Sequence, residues 1–158
     1  MTSDQPSSAV ITRERPDTAD AILLITELEA HLDPLYPRAS RHGLSVEQLL
    51  TENVAFFVLR WQDAPAACGG VKLFDDGYGE VKRMYVRPQY RGLGCAKSIL
   101  RHLEDYTCGQ GVGLLRLETG IHQREAISLY ERMGFRSIPP FGLYTDDPNS
   151  LYFEKPLA

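Results

Sequence analysis

The sequence lacks the features that mark disulfide-rich and metal-binding proteins. Its three cysteines, Cys68, Cys95 and Cys108, form no C-x-x-C pair, which argues against a disulfide framework and a cysteine zinc site. Its four histidines are scattered without metal-ligand spacing, so we predict no metal site. An odd number of unpaired cysteines is typical of reduced thiols, and we therefore predict a cytoplasmic protein.

Excess basic charge and long apolar runs are also missing. There are 17 Lys and Arg against 21 Asp and Glu, a formal net charge of -4 at pH 7, whereas a nucleic-acid or anionic-membrane partner favours a basic surface. No apolar run approaches the roughly 20 residues of a membrane span. We therefore predict neither a nucleic-acid nor a membrane partner.

The start of the chain is polar and has no apolar segment of the kind found in signal peptides. We predict that residues 1–8 form a disordered tail. Residues 9–158 have the length of a single domain with a sizeable core.

The stretch from Glu80 to Leu100 predicts a strand, a basic turn and an amphipathic helix. Pro88 has no N–H and ends the strand, while apolar residues recur at helical spacing from Leu93 onward. Gly92 and Gly94 let the backbone adopt an unusual φ or approach a ligand closely. A helix that begins here directs unpaired N–H groups and the positive end of its dipole at the turn. The stretch therefore predicts a phosphate-binding site.

Two common phosphate loops do not fit this turn. A Walker loop requires Gly before Lys97-Ser98 and again at position 91, where the chain has Ala96 and Arg91. The dinucleotide-binding pattern requires a third Gly or Ala where Lys97 stands. The pattern that fits is Arg/Gln-x-x-Gly-x-Gly/Ala, formed by Arg91, Gly94 and Ala96.

The remaining sequence predicts the element order β-α-α-β-β-β-α-β-α-β-β. The signals include Asp17 as a helix cap, a capping box of Ser45 and Gln48, and Gly134 as a left-handed helix end. A Gly69-Gly70 pair indicates a bulge or a crowded approach. Predicted strands cover 9–13, 54–61, 66–74, 113–118, 136–138 and 151–155 and one begins at 80; predicted helices cover 18–32, 46–51, 93–106 and 124–133.

This order predicts an α/β fold with a mixed sheet. Three consecutive strands joined by short turns are antiparallel, and the β-α-β unit from Glu80 to Glu118 is parallel and right-handed. A central mixed sheet with helices on both faces follows.

The loop after the first helix carries side chains able to contact a substrate. They are Tyr36, Arg38, Arg41 and His42. Loops often carry function, but a solvated connector has a similar composition, and both interpretations stay open.

The hexamer from Arg91 to Ala96 resembles the acetyl-CoA pyrophosphate loop of the GCN5-related N-acetyltransferase (GNAT) superfamily. The segment from Ala126 to Phe135 is similar to the family's Ala-x-x-Leu-Tyr-x-x-x-Gly-Phe segment, at the family's separation. The element order also matches, so the resemblance covers nearly the whole chain, from Ala9 to Lys155. It implies direct transfer of an acetyl group from acetyl-CoA to a primary amine of a small acceptor, within a ternary complex. Dimers are frequent in the family, which allows a homodimer.

The resemblance also implies a binding mode for acetyl-CoA, between the fourth and fifth strands. Its pantetheine would lie against the backbone of Met84, Tyr85 and Val86. Gln123 stands near where many relatives carry an asparagine that contacts the pantetheine. The pyrophosphate would contact the loop residues Arg91, Gly92, Leu93, Gly94, Cys95 and Ala96, with Lys97 adding charge.

Two residues match the family's catalytic positions. Tyr130 matches the tyrosine that protonates the leaving thiolate, although its ring could equally pack against Phe135. Glu80 matches the glutamate that accepts the amine proton, directly or through water, although it could also be an ion-pair partner of Lys82 or Arg83. Glu118 is the competing base.

Other assignments stay open at this point. Tyr36, His42 and Glu118 are candidate substrate contacts. Cys95 begins a helix, where thiol pKa values fall, so an acetyl-cysteine route is a further alternative. A non-catalytic acyl-CoA-binding or sensor domain, and a protein or peptide N-acetyltransferase, are alternative functions.

Overall fold

The computed structural model describes residues 8–157. The predicted disordered tail, residues 1–8, lies outside the described residues except for Ser8. The carbonyl oxygen of Ser8 accepts a hydrogen bond from Gln62 N at 3.0 Å.

The observed elements follow the predicted order. The strands are β1 Ala9–Arg13, β2 Ala55–Trp61, β3 Ala64–Phe74, β4 Tyr78–Val86, β5 Leu114–Gly120, β6 Arg136–Ile138 and β7 Ser150–Pro156. The helices are α1 Ala19–Leu32, α2 Val46–Thr51, α3 Cys95–Gly109 and α4 Arg124–Arg132, with short 3₁₀ turns at Arg38–Ser40 and Pro88–Tyr90.

The strands form one mixed sheet in the order β1-β2-β3-β4-β5-β7-β6. Neighbouring strands from β1 to β4 are antiparallel, β5 is parallel to β4, and β7 is antiparallel to both β5 and β6. One core cluster joins the sheet to α3 and α4, and a second joins it to α1 and α2. The predicted α/β fold, with helices on both faces of a mixed sheet, is confirmed.

The parallel pair in the middle of the sheet separates soon after it begins. Only Gly79 with Leu115 and Glu80 with Arg116 pair between β4 and β5. The later residues of β4, 81–86, therefore have no partner on this side, and a gap opens between the two strands.

A bulge in β4 lies beside this gap. Lys82 pairs with Gly70 and Tyr85 with Cys68, so Arg83 and Met84 together face Gly69. Arg83 adopts a positive φ of 55°, which is uncommon for a residue other than glycine.

The bulge that we predicted at Gly69-Gly70 is thus on the partner strand. Gly69 itself lies in a crowded position. A Cβ atom there would be 2.8 Å from both Ile99 Cγ2 and Met84 Sδ.

Local signals at helix ends were mostly interpreted correctly. Ser45 and Gln48 form the predicted capping box, and Gly134 has a φ of 94° after α4. Phe135 N donates to Tyr130 O at 3.0 Å, which completes a Schellman motif and anchors α4 beside the core.

Two helix starts differ from the prediction. Thr18, not Asp17, caps α1, because the Thr18 side chain accepts a hydrogen bond from Ala21 N. Helix α3 begins at Cys95 rather than Leu93, because the left-handed Gly94 directly precedes it. Leu93 consequently lies outside the helix and is 40% exposed.

Candidate active site

A cleft of about 1160 Å³ occupies the gap between β4 and β5. One end is bounded by the turn before α3, and the other by α1 with the loop that follows it. We call these the α3 end and the α1 end. The cleft brings residues together that are more than 100 positions apart in the chain, from Leu28 to Lys155.

The α3 end has the properties of an anion-binding site. Gly92 and Gly94 have φ values of 78° and 81°, and the first helical bond runs from Ser98 N to Gly94 O at 3.0 Å. The backbone amides of residues 92–97 donate no hydrogen bond to any described residue. Free amides and the positive end of a helix dipole together favour a phosphate group.

Most of the predicted loop residues line this end of the cleft. They are Arg91, Gly92, Gly94, Cys95, Ala96 and Lys97. Leu93 is not among the lining residues, and its predicted contact stays a prediction.

The prediction of a lowered thiol pKa at Cys95 was wrong. Cys95 is only 2% exposed and belongs to the core cluster that joins the sheet to α3 and α4. Burial raises the pKa of the thiol, because the thiolate loses its hydration, and this outweighs the position at a helix start. A buried neutral thiol argues against the acetyl-cysteine route.

The middle of the cleft exposes the edge of β4. The cleft is lined here by Met84, Tyr85 and Val86. The Tyr85 hydroxyl donates to Glu27 Oε1 at 3.1 Å, so the tyrosine side chain is bound to α1 and its backbone is left at the cleft. The strand edge can therefore pair with an extended ligand that contains amide groups.

Gln123 lies across the cleft from this edge, just before α4. It lines the cleft, and its Nε2 atom is buried near the Tyr36 hydroxyl without forming a well-aligned hydrogen bond to a described residue. A buried amide without a well-aligned partner is costly, so a ligand carbonyl at this position would satisfy it.

Glu80 lies on β4 where the two strands separate. It is 3% exposed, its Oε2 atom accepts a hydrogen bond from the Tyr144 hydroxyl at 2.5 Å, and Lys82 Nζ forms an ion pair with the same oxygen at 2.8 Å. No hydrogen bond joins Oε1 to a described residue. The predicted ion pair with Lys82 is thus present, and the carboxylate keeps one oxygen that can accept a further hydrogen bond.

Tyr130 reaches the cleft from α4. Its ring contacts Phe135, with the ring centroids 5.7 Å apart, so the predicted packing contact is present. Its hydroxyl has no hydrogen-bond partner among residues 8–157. Burial, and then the charge of Glu118, raise the pKa of Tyr130, so the phenol stays protonated at neutral pH.

Glu118 faces the same cleft from β5. Its Oε2 atom accepts from Ser150 Oγ at 2.8 Å. Burial is the largest influence and raises the pKa of Glu118, and the nearby charge of Glu80 raises it further. Ser150, His42 and Lys82 oppose this shift.

The α1 end contains the predicted loop residues Tyr36 and His42. The Tyr36 hydroxyl accepts from His122 N at 2.9 Å, which joins this loop to the end of β5. A Cβ atom on Gly120 would lie 2.0 Å from that hydroxyl, so only glycine fits beneath the ring.

His42 joins the same end to the loop between β6 and β7. Its Nε2 atom lies 3.2 Å from Asp147 Oδ2. Ser40 Oγ donates to Asp147 Oδ1 at 3.0 Å, and Asn149 Nδ2 donates to Ser40 Oγ at 3.0 Å. These bonds bound the α1 end on two sides.

Several residues of the cleft were missed or only mentioned in the sequence analysis. Tyr144 lies in a long loop after two prolines, where no periodic pattern indicates which side chain turns inward. Glu29 lies on α1 outside the apolar face of the helix, a position that by itself indicates no role. Arg83 became a cleft residue only through the bulge.

The structure offers no sign of a metal centre or a membrane span in the described part of the chain. No group of three or more His, Cys, Asp or Glu residues there could hold a metal ion. Within residues 8–157, no helix is long and apolar enough to cross a bilayer.

Comparisons with known proteins agree with this fold. The model of the acetyltransferase (GNAT) family matches residues 22–135. The chain belongs to the GNAT acetyltransferase family. It is accordingly an acyl-CoA-dependent N-acetyltransferase.

Its relatives cover nearly its whole length. An IAA acetyltransferase of Azospirillum brasilense is 40% identical over 151 residues, 95% of this chain and 99% of the relative. A crystal structure of a candidate acyl-CoA N-acyltransferase from Klebsiella pneumoniae is 34% identical with a TM-score of 0.81. The match covers 95% of this chain and 98% of that one.

A second solved GNAT structure contains acetyl-CoA. This acetyltransferase from Elizabethkingia anophelis has acetyl-CoA bound. It is 15% identical with a TM-score of 0.72, and the match covers 96% of this chain and 99% of that one. At that identity it shows the fold alone. Cytoplasmic residence and a homodimer stay predictions.

Proposed function

We propose that this GNAT enzyme transfers the acetyl group of acetyl-CoA directly to a primary amine of a small acceptor, in a ternary complex. One observation carries the proposal. A single cleft joins the unbonded amides before α3 to a buried carboxylate, Glu80, and to an unbonded phenol, Tyr130.

Acetyl-CoA would occupy the cleft from the α3 end. Its pyrophosphate accepts hydrogen bonds from the amides of residues 92–97, and Arg91 and Lys97 add positive charge. Its pantetheine lies along the edge of β4 at Met84, Tyr85 and Val86. A carbonyl of the pantetheine accepts a hydrogen bond from the buried Gln123 Nε2 atom.

The acceptor would enter from the α1 end, which the bonds of Tyr36 and His42 bound. This limited space favours a small acceptor over a folded protein. The amine nitrogen attacks the thioester carbon, the bond between carbon and sulfur breaks, and an amide forms. Glu80 Oε1 takes the proton lost by the amine, directly or through a water molecule.

Tyr130 would donate to the sulfur as that bond breaks. A phenol with a raised pKa is a weak acid, so it first stabilises the developing thiolate by a hydrogen bond. Full proton transfer becomes favourable when the thiolate is itself desolvated in the cleft.

Glu118 has a different part in this scheme. Its raised pKa makes it the competing base, since Glu118, like Glu80, has one oxygen that is occupied and one that is left over. We assign it to the acceptor site, where it can accept a hydrogen bond from the incoming ammonium or amine.

The test is release of the CoA thiol from acetyl-CoA in the presence of a panel of primary amines. Tyr130→Phe keeps the ring and removes the hydroxyl, so its melting temperature should change little. We expect kcat to fall by about 10²–10⁴ with acetyl-CoA affinity unchanged. Tyr106→Phe is the matched control, since Tyr106 is also packed against the core under the sheet but does not line the cleft.

Two results would contradict the proposal. Binding of acetyl-CoA without turnover of any amine would indicate a sensor domain. Normal turnover by Tyr130→Phe together with a lowered melting temperature would mean that the hydroxyl has only a structural role.

A further inference from the structure

Two arginines share one carboxylate at the α1 end of the cleft. Arg83 Nη2 and Arg41 Nη2 both contact the carboxylate of Glu29, one oxygen each. Arg41 Nη1 also contacts Asp33 Oδ1 at 2.6 Å. All four residues line the cleft.

Arg83 is held in a fixed position. Its side chain is 3% exposed, and a Cβ atom on Gly43 would be 1.8 Å from its Nη1 atom, so the loop backbone lies directly against the guanidinium. Its backbone has the positive φ of the β4 bulge. Strained backbone of this kind persists only where the surrounding structure demands it, and it often marks a functional site.

The donors of Arg83 are not all used. Its Nε atom is buried with no partner among the described residues. A guanidinium presents donors in a fork that matches both oxygens of a carboxylate, and Glu29 engages only one nitrogen of that fork.

Glu29 is far more exposed than the arginines that hold it. Its side chain is 44% exposed, against 3% for Arg83 and 17% for Arg41. An exposed carboxylate gains little from an ion pair, because water solvates it well. It can therefore leave the buried Arg83 and the partly buried Arg41 to a carboxylate from another molecule.

We propose that the acceptor is an amine that also carries a carboxylate, which displaces Glu29 and binds Arg83 and Arg41. This inference rests on the proposed acetyl transfer and specifies its substrate class. The acceptor amine would then extend from the arginines toward Glu80, which lies three positions before Arg83 on the same strand. A dianionic phosphate fits less well, since Glu80, Glu118 and Asp33 line the same cleft.

The competing interpretation is that the arginines only fasten α1 and its loop to β4. The two interpretations differ in what loss of the guanidinium does to different acceptors. A purely structural role predicts the same loss for every amine, whereas carboxylate recognition predicts a loss only for acceptors with that group.

The experiment compares the common L-amino acids with their carboxamides, together with simple amines and O-phosphoethanolamine, by thiol release from acetyl-CoA. For each compound the ratio of kcat/KM between Arg83→Gln and the wild type is determined, which cancels differences in amine basicity. Arg83→Lys tests for partial rescue by charge. Arg136→Gln is the control, because Arg136 is an exposed arginine in an ion pair away from the cleft.

We expect at least one amino acid to be preferred to its carboxamide, and its kcat/KM to fall about 10- to 100-fold in Arg83→Gln. The carboxamide should change less than about threefold, and Arg83→Lys should recover part of the loss. Equal losses for both compounds, or a preference for O-phosphoethanolamine, would overturn the inference while acetyl transfer stands. If no amine is acetylated at all, the proposed function itself fails, and this inference with it.

Discussion

The phosphate site at the start of α3 can be tested with a pair of matched glycine substitutions. Gly92 and Gly111 both have a φ of 78°, and an added Cβ atom would meet nothing within 4 Å at either position. Of these two glycines, only Gly92 lines the cleft. Gly92→Ala and Gly111→Ala therefore share the same backbone strain and differ in their position relative to the cofactor.

The strain should lower the stability of both variants alike. A side chain in the left-handed region costs roughly 1–2 kcal/mol, and 1 kcal/mol moves the melting temperature of a chain of this size by about 2–4 °C. Without ligand, both variants should therefore melt about 2–8 °C below the wild type. Gly94→Val would be a poorer test, because a β-branched residue at a φ of 81° would damage the fold as well.

Acetyl-CoA should then separate the two variants. At a concentration of about 100 times the wild-type Kd, linkage stabilises the wild type and Gly111→Ala by about 2.7 kcal/mol. The Cβ atom of Gly92→Ala would occupy space that the pyrophosphate needs and weaken hydrogen bonds to a charged group. Such bonds contribute about 1.5–3 kcal/mol each, so Kd should rise about 10- to 100-fold.

The assay is a thermal shift with and without acetyl-CoA, followed by calorimetric titration. With a 100-fold rise in Kd, the ligand would stabilise Gly92→Ala by only about 0.4 kcal/mol at the same concentration. A full ligand-induced shift in Gly92→Ala would refute the assignment of the pyrophosphate to this loop. Equal loss of the shift in Gly111→Ala would attribute the effect to strain alone.

Two further predictions concern the carboxylates of the cleft. Burial raises the pKa of Glu118 above its ordinary value of 4.5, so the folded protein binds this proton more tightly than the unfolded chain does. The resulting loss of stability is absent below pH 4.5 and complete above the folded pKa, so Glu118→Gln should raise the melting temperature at pH 7.5 but not at pH 4. The exposed Glu131→Gln serves as control, and a Glu118→Gln protein with no such pH-dependent gain would contradict the reasoning. Tyr144→Phe removes the hydroxyl that donates to Glu80 at 2.5 Å, so kcat should fall about tenfold or more with acetyl-CoA affinity unchanged. Steady-state kinetics measures kcat, and a binding titration measures the affinity. An unchanged kcat would show that this hydrogen bond does not support the base.

Sequence alone was sufficient where the cause of a structure lies within a few neighbouring residues. The capping box of Ser45 and Gln48, the left-handed Gly134 and the glycine turn before α3 all depend on local sterics and on hydrogen bonds a few positions apart. The spacing of apolar residues likewise predicted the helices and the order of the elements. These signals, together with the two motifs, were enough to predict the family and the α3 end of the cleft.

The tertiary structure decided what depends on distant parts of the chain. The bulge at Arg83 places that side chain against Glu29, 54 positions away, and Tyr144 reaches Glu80 over 64 positions. The buried thiol of Cys95 shows the same dependence, because burial by the sheet outweighs the local helix dipole that suggested a reactive group. Burial and long-range contacts arise from the packing of the whole chain, and no local pattern of residues determines them. The pair of Arg83 and Arg41 around Glu29, and with it the class of acceptor that we propose, could be read only from the folded molecule.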